Sequence, residues 1–170
     1  NVRAYKSALI YLNNIGCQDE LIFDGGSFFM NKNEEMIYQE KFFSESEKIL
    51  DLEKIVLTNK THINKDKISL LYDALVYSLK NYMRDNFFKN VTIGLSGGID
   101  SALCTIIAVD ALGSENVKPV FMPTKYTSNE SEVDSNELSK NLNLEMINIP
   151  IELLRKKVLS DLNFLFKNFN

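Results

Sequence analysis

The spacing of apolar and polar positions changes near residue 66 of the chain. Before that point, short apolar runs are interrupted by turn-forming residues, a pattern typical of β-strands. The apolar runs cover residues 8–15, 21–31, 36–43 and 48–55, with turn chemistry at Asp24-Gly25-Gly26 and Asn31-Lys32-Asn33. We therefore expect a piece of antiparallel sheet, which is too small to cover its own apolar face.

A different periodicity follows a polar stretch at residues 56–66, which we interpret as a linker. Apolar residues then recur at helical spacing, which predicts an amphipathic helix. The positions in this stripe are Ile68, Leu71, Leu75, Leu79 and Tyr82, flanked by Tyr72, Val76 and Met83.

Strands and helices alternate in the remainder of the chain. The pattern predicts strands at 91–96, 117–123 and 144–151, and helices at 100–112, 130–142 and 152–168. Gly113 is placed as a C-terminal cap, and Asn129 with Glu132 has capping-box spacing at the start of the second helix. Such alternation with short connections favours a parallel sheet with right-handed crossovers.

Composition narrows the class of protein. The 170 residues are 45% hydrophobic and 25% charged, which is typical of a globular domain. A net charge of −4 gives no basic surface for nucleic acid, and no apolar run reaches the roughly 18 residues of a membrane helix. Two cysteines, Cys17 and Cys104, are too few for a disulfide scaffold, so we expect a cytoplasmic location. The chain starts at Asn1 without Met, which suggests a cut.

The segment Gly94–Ser101 carries the candidate chemistry, because it lies where a predicted strand gives way to a helix. Its residues are Gly94, Leu95, Ser96, Gly97, Gly98, Ile99, Asp100 and Ser101. Glycines let backbone approach a ligand, and successive N–H groups at a helix N-terminus form an anion nest. The serines add hydroxyl donors. Because Asp100 alone would repel phosphate, its presence suggests a Mg²⁺ ion between carboxylate and phosphate.

This loop is neither a Walker A loop nor a G-x-G-x-x-G loop, because both patterns are absent. The alternative to a phosphate-binding site is a glycine-rich turn between strand and helix that binds no ligand. The string S-G-G-x-D-S resembles the PP-loop of the ATP pyrophosphatase superfamily, whose members cleave ATP between the α and β phosphates. By that resemblance, Gly94–Ser101 binds ATP and Asp100 holds the metal.

The flanking segments resemble NAD synthetase within that superfamily. They are Ala108–Gly113, the Met122–Ser128 loop and the helix from Asp134 to Leu144. Lys125 stands where the family has Arg, Ser135 where it has Ala, and Asn143 where it has Gly. The resemblance implies that the loop 123–131 borders the nucleotide.

Residues 9–28, "LIYLNNIGCQDELIFDGGSF", resemble the last third of the nitrilase-like glutaminase domain that precedes the synthetase in glutamine-dependent NAD synthetase. The resemblance implies the end of a glutaminase domain at 1–57, a linker at 58–66 and the start of a synthetase domain at 67–170. The implied fold is a β-rich remnant of a nitrilase-like α/β sandwich, then a doubly wound, Rossmann-like parallel sheet of the adenine nucleotide alpha hydrolase type.

The same resemblance implies a ligase that makes NAD from deamido-NAD, ATP and ammonia from glutamine. It implies a homo-oligomer, and the charge and hydropathy described above predict no nucleic-acid or membrane partner. No catalytic residue is expected in this chain, because the glutaminase Cys, Glu and Lys belong upstream of Asn1. Two alternatives stay open: a truncated, non-catalytic nucleotide-binding or assembly module, and another amidating ATP pyrophosphatase such as GMP synthetase.

Other reactive residues are given structural roles. Cys17 is interpreted as incidental, Cys104 as a core residue and His62 as a solvated linker residue. The acids Asp19, Glu20 and Asp24 are assigned to turns and strand edges. Asp110 and Tyr126 match family positions and receive no chemical role.

Overall fold

The computed structural model describes residues 5–51 and 66–166. The chain divides into two compact units, with the division after Asp85. Within the described residues, no helix has the length and apolar character that a membrane crossing needs. The linker predicted at 58–66 and His62 fall outside the described residues except for Asp66, so the domain boundary stays a prediction.

The described residues of the first unit include two small antiparallel sheets and a long helix. Strand β1 pairs with β4, β4 pairs with β5, and β2 and β3 form a separate hairpin. The elements are β1 (Leu9–Tyr11), β2 (Ile15–Gln18), β3 (Leu21–Asp24), β4 (Phe28–Met30), β5 (Met36–Gln39) and α1 (Lys67–Asp85). These short strands confirm the β-rich first part, although residues 48–51 of the fourth predicted run form no strand.

The turns of the first unit form where the sequence predicts them. Asp19 adopts a positive φ of 52° in the turn between β2 and β3. The Asn31 side chain accepts the amides of Asn33 and Glu35 at 2.9 and 3.0 Å, which closes the β4–β5 connection. Asn and Asp favour such positions because their side chains can bond to nearby backbone.

Helix α1 packs against β2 and β3 of the first unit. The ring of Tyr77 lies 5.2 Å from the ring of Phe43. The helix itself is confirmed, but its predicted apolar stripe is largely uncovered, with Ile68 80% and Leu71 61% exposed. The buried residues near its end are Asn81 and Met83, and Met83 is one of the residues predicted to flank the stripe.

The described part of the second unit forms a three-stranded parallel sheet with helices, which confirms the predicted α/β class. Its strands run in the order β6-β7-β8. The elements are β6 (Val91–Gly94), α2 (Ile99–Leu112), β7 (Val117–Phe121), α3 (Asn129–Asn141), β8 (Ile147–Asn148) and α4 (Glu152–Phe166). Helix α2 packs on β6 and β7, and α3 packs on β7.

Strand β7 lies in the middle of this sheet and is almost wholly buried. Its Val117, Val120 and Phe121 form the core together with Leu95 and Ala108. A mainly apolar, buried strand is typical of a parallel sheet, which is covered on both faces. Because β7 is fixed in this way, the loop after it is held beside the loop after β6.

The predicted C-terminal cap of α2 is confirmed, whereas the predicted N-terminal cap of α3 is wrong. Gly113, with φ of 85°, caps α2 and donates its N–H to the Val109 carbonyl. The N-cap of α3 is Ser128, whose hydroxyl accepts the Ser131 amide, and not the predicted Asn129. Serine caps well because its short side chain reaches the first-turn amides.

The strand predicted at 144–151 is only two residues long, Ile147–Asn148. Extended pairing nevertheless continues, because the amides of Ile149 and Ile151 donate to the carbonyls of Phe121 and Pro123. The start of α4 is therefore attached to the loop that follows β7.

Candidate functional site

The Gly94–Ser101 loop joins the carboxyl end of β6 to the first turn of α2. The buried Leu95 extends the strand pairing, since its N–H donates to the Val120 carbonyl at 2.9 Å. Ser96, Gly98, Ile99 and Asp100 are exposed. The loop thus stands at the end of the sheet where ligands of open α/β folds bind.

Two serine hydroxyls hold the shape of this loop. The Ser101 hydroxyl donates to the Gly98 carbonyl at 2.9 Å and accepts the Ser96 amide at 3.2 Å. The two hydroxyl oxygens are 3.0 Å apart, and the Ser96 oxygen accepts the Gly98 amide at 3.3 Å. Because the Ser101 hydroxyl donates its only hydrogen to the Gly98 carbonyl, the Ser96 hydroxyl is the donor in the bond between the two hydroxyls.

Gly97 packs directly on the start of α3. A Cβ atom at this position would lie 2.5 Å from the Ser131 Cα and 2.6 Å from its carbonyl oxygen. The φ of Gly97 is 80°, a conformation that side chains disfavour. Glycine is therefore required here on two grounds, and the contact places the first turns of α2 and α3 side by side.

The first turn of α2 offers donors for an anion. Gly98 is its N-cap residue in an extended conformation and supplies no side-chain cap. The first amides of a helix have no partner within the helix, and the helix dipole makes this end positive. The open loop and these amides together suit a phosphate-like ligand.

Asp100 is exposed in this first turn and is the carboxylate within the loop. Across residues 5–51 and 66–166, no three His, Cys, Asp or Glu side chains are grouped to hold a metal ion. Mg²⁺ commonly binds through one or two carboxylates and the phosphates of a substrate. A single exposed carboxylate beside an anion nest fits a metal that arrives with phosphate.

The loop after β7 borders the candidate loop. Its own turn is closed by Thr124, whose amide donates to the Thr127 hydroxyl at 2.9 Å. The space beside Gly94 is filled by Met122, whose Cε would lie 3.4 Å from a Cβ added there. At the other end, Ser128 caps the helix on which Gly97 packs.

Two residues that the sequence analysis did not single out hold this second loop. Glu152 accepts the Lys125 amide at 3.3 Å and forms a two-point ion pair with Arg155 at 2.8 and 2.6 Å. Hydrogen bonding to Arg155 lowers the pKa of Glu152 to about 2, and the same bonds raise the pKa of Arg155. The i, i+3 spacing of opposite charges was the available signal.

Of the structural roles predicted for the other reactive residues, one is wrong and two agree with the structure. Cys104 is exposed, so its predicted core role is wrong. It lies one helical turn after the exposed Asp100, and residues four apart share a helix face. Cys17 lies half-buried in β2, and Asp24 accepts a hydrogen bond from the Asn13 side chain at 2.7 Å, which agrees with structural roles.

A groove of about 700 Å³ lies in the first unit. Its lining includes Tyr11, Phe28, Tyr38 and the segment 44–48. Desolvation by burial, together with a hydrogen bond to Glu40, raises the pKa of Tyr38 to about 12. No residue of the candidate loop lines this groove.

Comparison with known proteins places the chain among NAD synthases. The sequence profile described as NAD synthase matches residues 71–165. A glutamine-dependent NAD(+) synthetase of Thermotoga maritima is 36% identical over 182 residues, which are 86% of this chain and 32% of that protein. One of Synechocystis is 39% identical over 155 residues, which are 89% of this chain and 28% of that protein.

A solved structure shows the same fold. The glutamine-dependent NAD+ synthetase of Acinetobacter baumannii in complex with ADP superimposes with a TM-score of 0.90 at 34% identity. The match covers 98% of this chain and 32% of that one. The chain therefore spans about a third of the length of the relatives that it resembles.

Proposed function

Because this chain belongs to the NAD synthase family, we propose that it supplies the ATP-binding part of a glutamine-dependent NAD synthetase. The single observation that carries the proposal is the Gly94–Ser101 loop. It is exposed at the carboxyl end of β6 and leads directly into a helix N-terminus. This geometry, in a chain of this family, suits the phosphates of ATP.

The proposed reaction has two steps. A carboxylate oxygen of deamido-NAD attacks the α-phosphorus of ATP, the bond from that phosphorus to the bridging oxygen breaks, and pyrophosphate leaves. The nitrogen of ammonia then attacks the acyl carbon of the adenylate, AMP leaves with the bonding electrons, and loss of a proton gives the amide of NAD.

The residues of this chain act on the departing pyrophosphate. Charge grows on its oxygens as the bond breaks, and fixed donors aimed at that charge lower the barrier. Backbone amides of the α2 first turn are such donors, and the Ser96 and Ser101 hydroxyls, whose hydrogens are bonded within the loop, keep these amides in place. Since the serine network already holds the loop, little reorganisation is needed when the nucleotide arrives. If Mg²⁺ accompanies ATP, it neutralises phosphate charge, and Asp100 would hold it.

The wider setting belongs to the same proposal. Glutamine supplies the ammonia through a nitrilase-like glutaminase domain, to which residues 1–57 contribute. The synthetase portion starts at residue 67. We further propose a homo-oligomer in the cytoplasm, as the family resemblance implies.

The role of Asp100 gives the first test. In the full-length gene product, we expect Asp100→Ala and Asp100→Asn to lower ATP-dependent NAD formation by about 100-fold or more, since phosphate charge would lose its counter-charge. Glutamine hydrolysis, measured as glutamate release, should be retained. The measurement is NAD and pyrophosphate formed from ATP, deamido-NAD and either glutamine or ammonium.

Cys104→Ser is the matched control, because it alters an exposed side chain one helical turn from Asp100. We expect it to keep normal synthesis. Normal NAD formation in both Asp100 variants would overturn the assigned role of this carboxylate. Wild-type protein that binds ATP but never releases pyrophosphate would overturn the proposed enzyme function and favour a binding module.

A further inference from the structure

The loop after β7 is joined to α4 by one carboxylate. Glu152 is the first residue of α4, and its Oε2 accepts the Lys125 amide at 3.3 Å. This contact joins residues that are 27 positions apart in the sequence. It adds to the backbone bond from the Ile151 amide to the Pro123 carbonyl at 3.1 Å.

Arg155 fixes this carboxylate from the other side. Its Nε and one terminal nitrogen donate to the two carboxylate oxygens of Glu152 at 2.8 and 2.6 Å. Both side chains are only 23% exposed. The planar fork of arginine matches a carboxylate at two points, so the pair has one orientation.

The same guanidinium lies over the ring of Tyr126, with 5.1 Å between its Cζ and the ring centroid. The Lys125 Nζ lies over that ring at 4.8 Å. The ring itself is 72% exposed. Cations over an aromatic face are attracted by its electron density, so an exposed aromatic side chain is held in a defined place.

This held loop lies against the nucleotide loop at both of its ends. Met122 fills the space beside Gly94. Ser128 caps α3, and the backbone of Ser131 in the next turn contacts Gly97. A displacement of the loop between these two points would change the wall of the site.

We propose that Glu152 and Arg155 are positioning residues, which hold loop 123–128 in the conformation that receives the nucleotide. Neither residue is assigned contact with ATP. The inference rests on the proposed ATP-binding function of the Gly94–Ser101 loop. Positioning groups of this kind affect binding and orientation because a small misplacement of a site wall weakens productive contacts.

The kinetic test uses the full-length gene product with Glu152→Gln and Arg155→Lys. We expect each to raise the KM for ATP about tenfold, equivalent to about 1.4 kcal/mol, with kcat within about twofold of wild type. Arg155→Lys keeps the positive charge. A raised KM for ATP in this variant would therefore show that the two-point geometry of arginine, and not its charge alone, holds the loop. Melting temperatures should match wild type.

Asp161→Asn is the matched control. It breaks a second ion pair on α4, Lys157 to Asp161 at 2.8 Å, which is exposed and far along the helix from the loop. We expect wild-type kinetics from it. An unchanged KM for ATP in both test variants would overturn the proposal. A fall in kcat that accompanies a fall in melting temperature would also overturn the proposal, because it would show that the pair has only a structural role.

Limited trypsin digestion tests whether the loop is held in place, and it does not depend on NAD formation. Lys125 precedes a cleavable bond, and we expect Glu152→Gln to be cut there several times faster than wild type and Asp161→Asn. Equal cleavage rates in Glu152→Gln and wild type would overturn the proposal that Glu152 holds the loop. If wild type forms no NAD, the proposed function fails, and this digestion alone still decides whether the pair holds the loop.

Discussion

Gly97 and Asn143 both adopt a positive φ, but for different physical reasons. Gly97, at 80°, is pressed against the Ser131 backbone, where no side chain fits. Asn143, at 55°, ends α3 in a Schellman arrangement, with the Leu144 amide donating to the Ser139 carbonyl at 2.8 Å. Asn tolerates this conformation better than most residues, which explains how it replaces the glycine of the family.

Gly97→Ala tests the contact with α3. The added methyl would meet the Ser131 backbone at 2.5 Å, so we expect about 1–3 kcal/mol of destabilisation. ATP-dependent synthesis should also fall. The measurement is urea unfolding of the full-length gene product beside its activity.

Gly98→Ala is the paired control. A Cβ at Gly98 would lie 3.3 Å from the Ser96 Oγ, and the φ of −84° suits any residue. We expect a change in stability below about 1 kcal/mol. Equal destabilisation by both alanines would show that the Gly97 contact has no special weight.

At the scale of the element, α3 joins the candidate site to the core of the second unit. Its N-terminus is capped by Ser128 and packs on Gly97. Its inner face carries Ser135 and Ser139, both buried, whose hydroxyls have no hydrogen-bond partner. Buried polar groups without partners cost stability, so these two hydroxyls reduce the contribution of this helix to the free energy of unfolding.

Ser135→Ala should therefore stabilise the protein by about 1 kcal/mol, because it removes a buried hydroxyl without a partner. Ser128→Ala should act in the opposite direction and cost about 1 kcal/mol, because it removes the cap of the same helix. Chemical unfolding of the two variants checks both signs. Destabilisation by Ser135→Ala would mean that this hydroxyl does find a partner in solution.

At the scale of the whole molecule, each unit leaves apolar side chains uncovered. On α4, Leu153 and Leu154 are 81% and 65% exposed. On α1, Ile68 and Leu71 are exposed to a similar degree. Patches of this kind mark surfaces that pack against something in a functional protein.

The isolated 170-residue chain should consequently be poorly stable. We expect a broad, weakly cooperative thermal transition and binding of a hydrophobic dye, while the full-length gene product melts sharply. Differential scanning calorimetry of both proteins makes the comparison. A sharp melt of the isolated chain with no dye binding would contradict this expectation and show that its small cores are sufficient.

The sequence by itself determined the α/β class, the helices of the second unit and the Gly94–Ser101 loop. It could do so because strand-to-helix alternation, the Gly113 cap and the loop depend on neighbouring residues. The resemblance to the family rested on the same consecutive residues. The short β-rich runs were also evident locally.

Only the tertiary structure decided which distant residues meet. It placed Ser131 on Gly97, Glu152 on the Lys125 amide and Arg155 over Tyr126. It also chose Ser128 over Asn129 as the cap and left Cys104 exposed. The physical reason is that helical spacing shows which residues share a face, whereas the packing of separate elements decides what that face contacts.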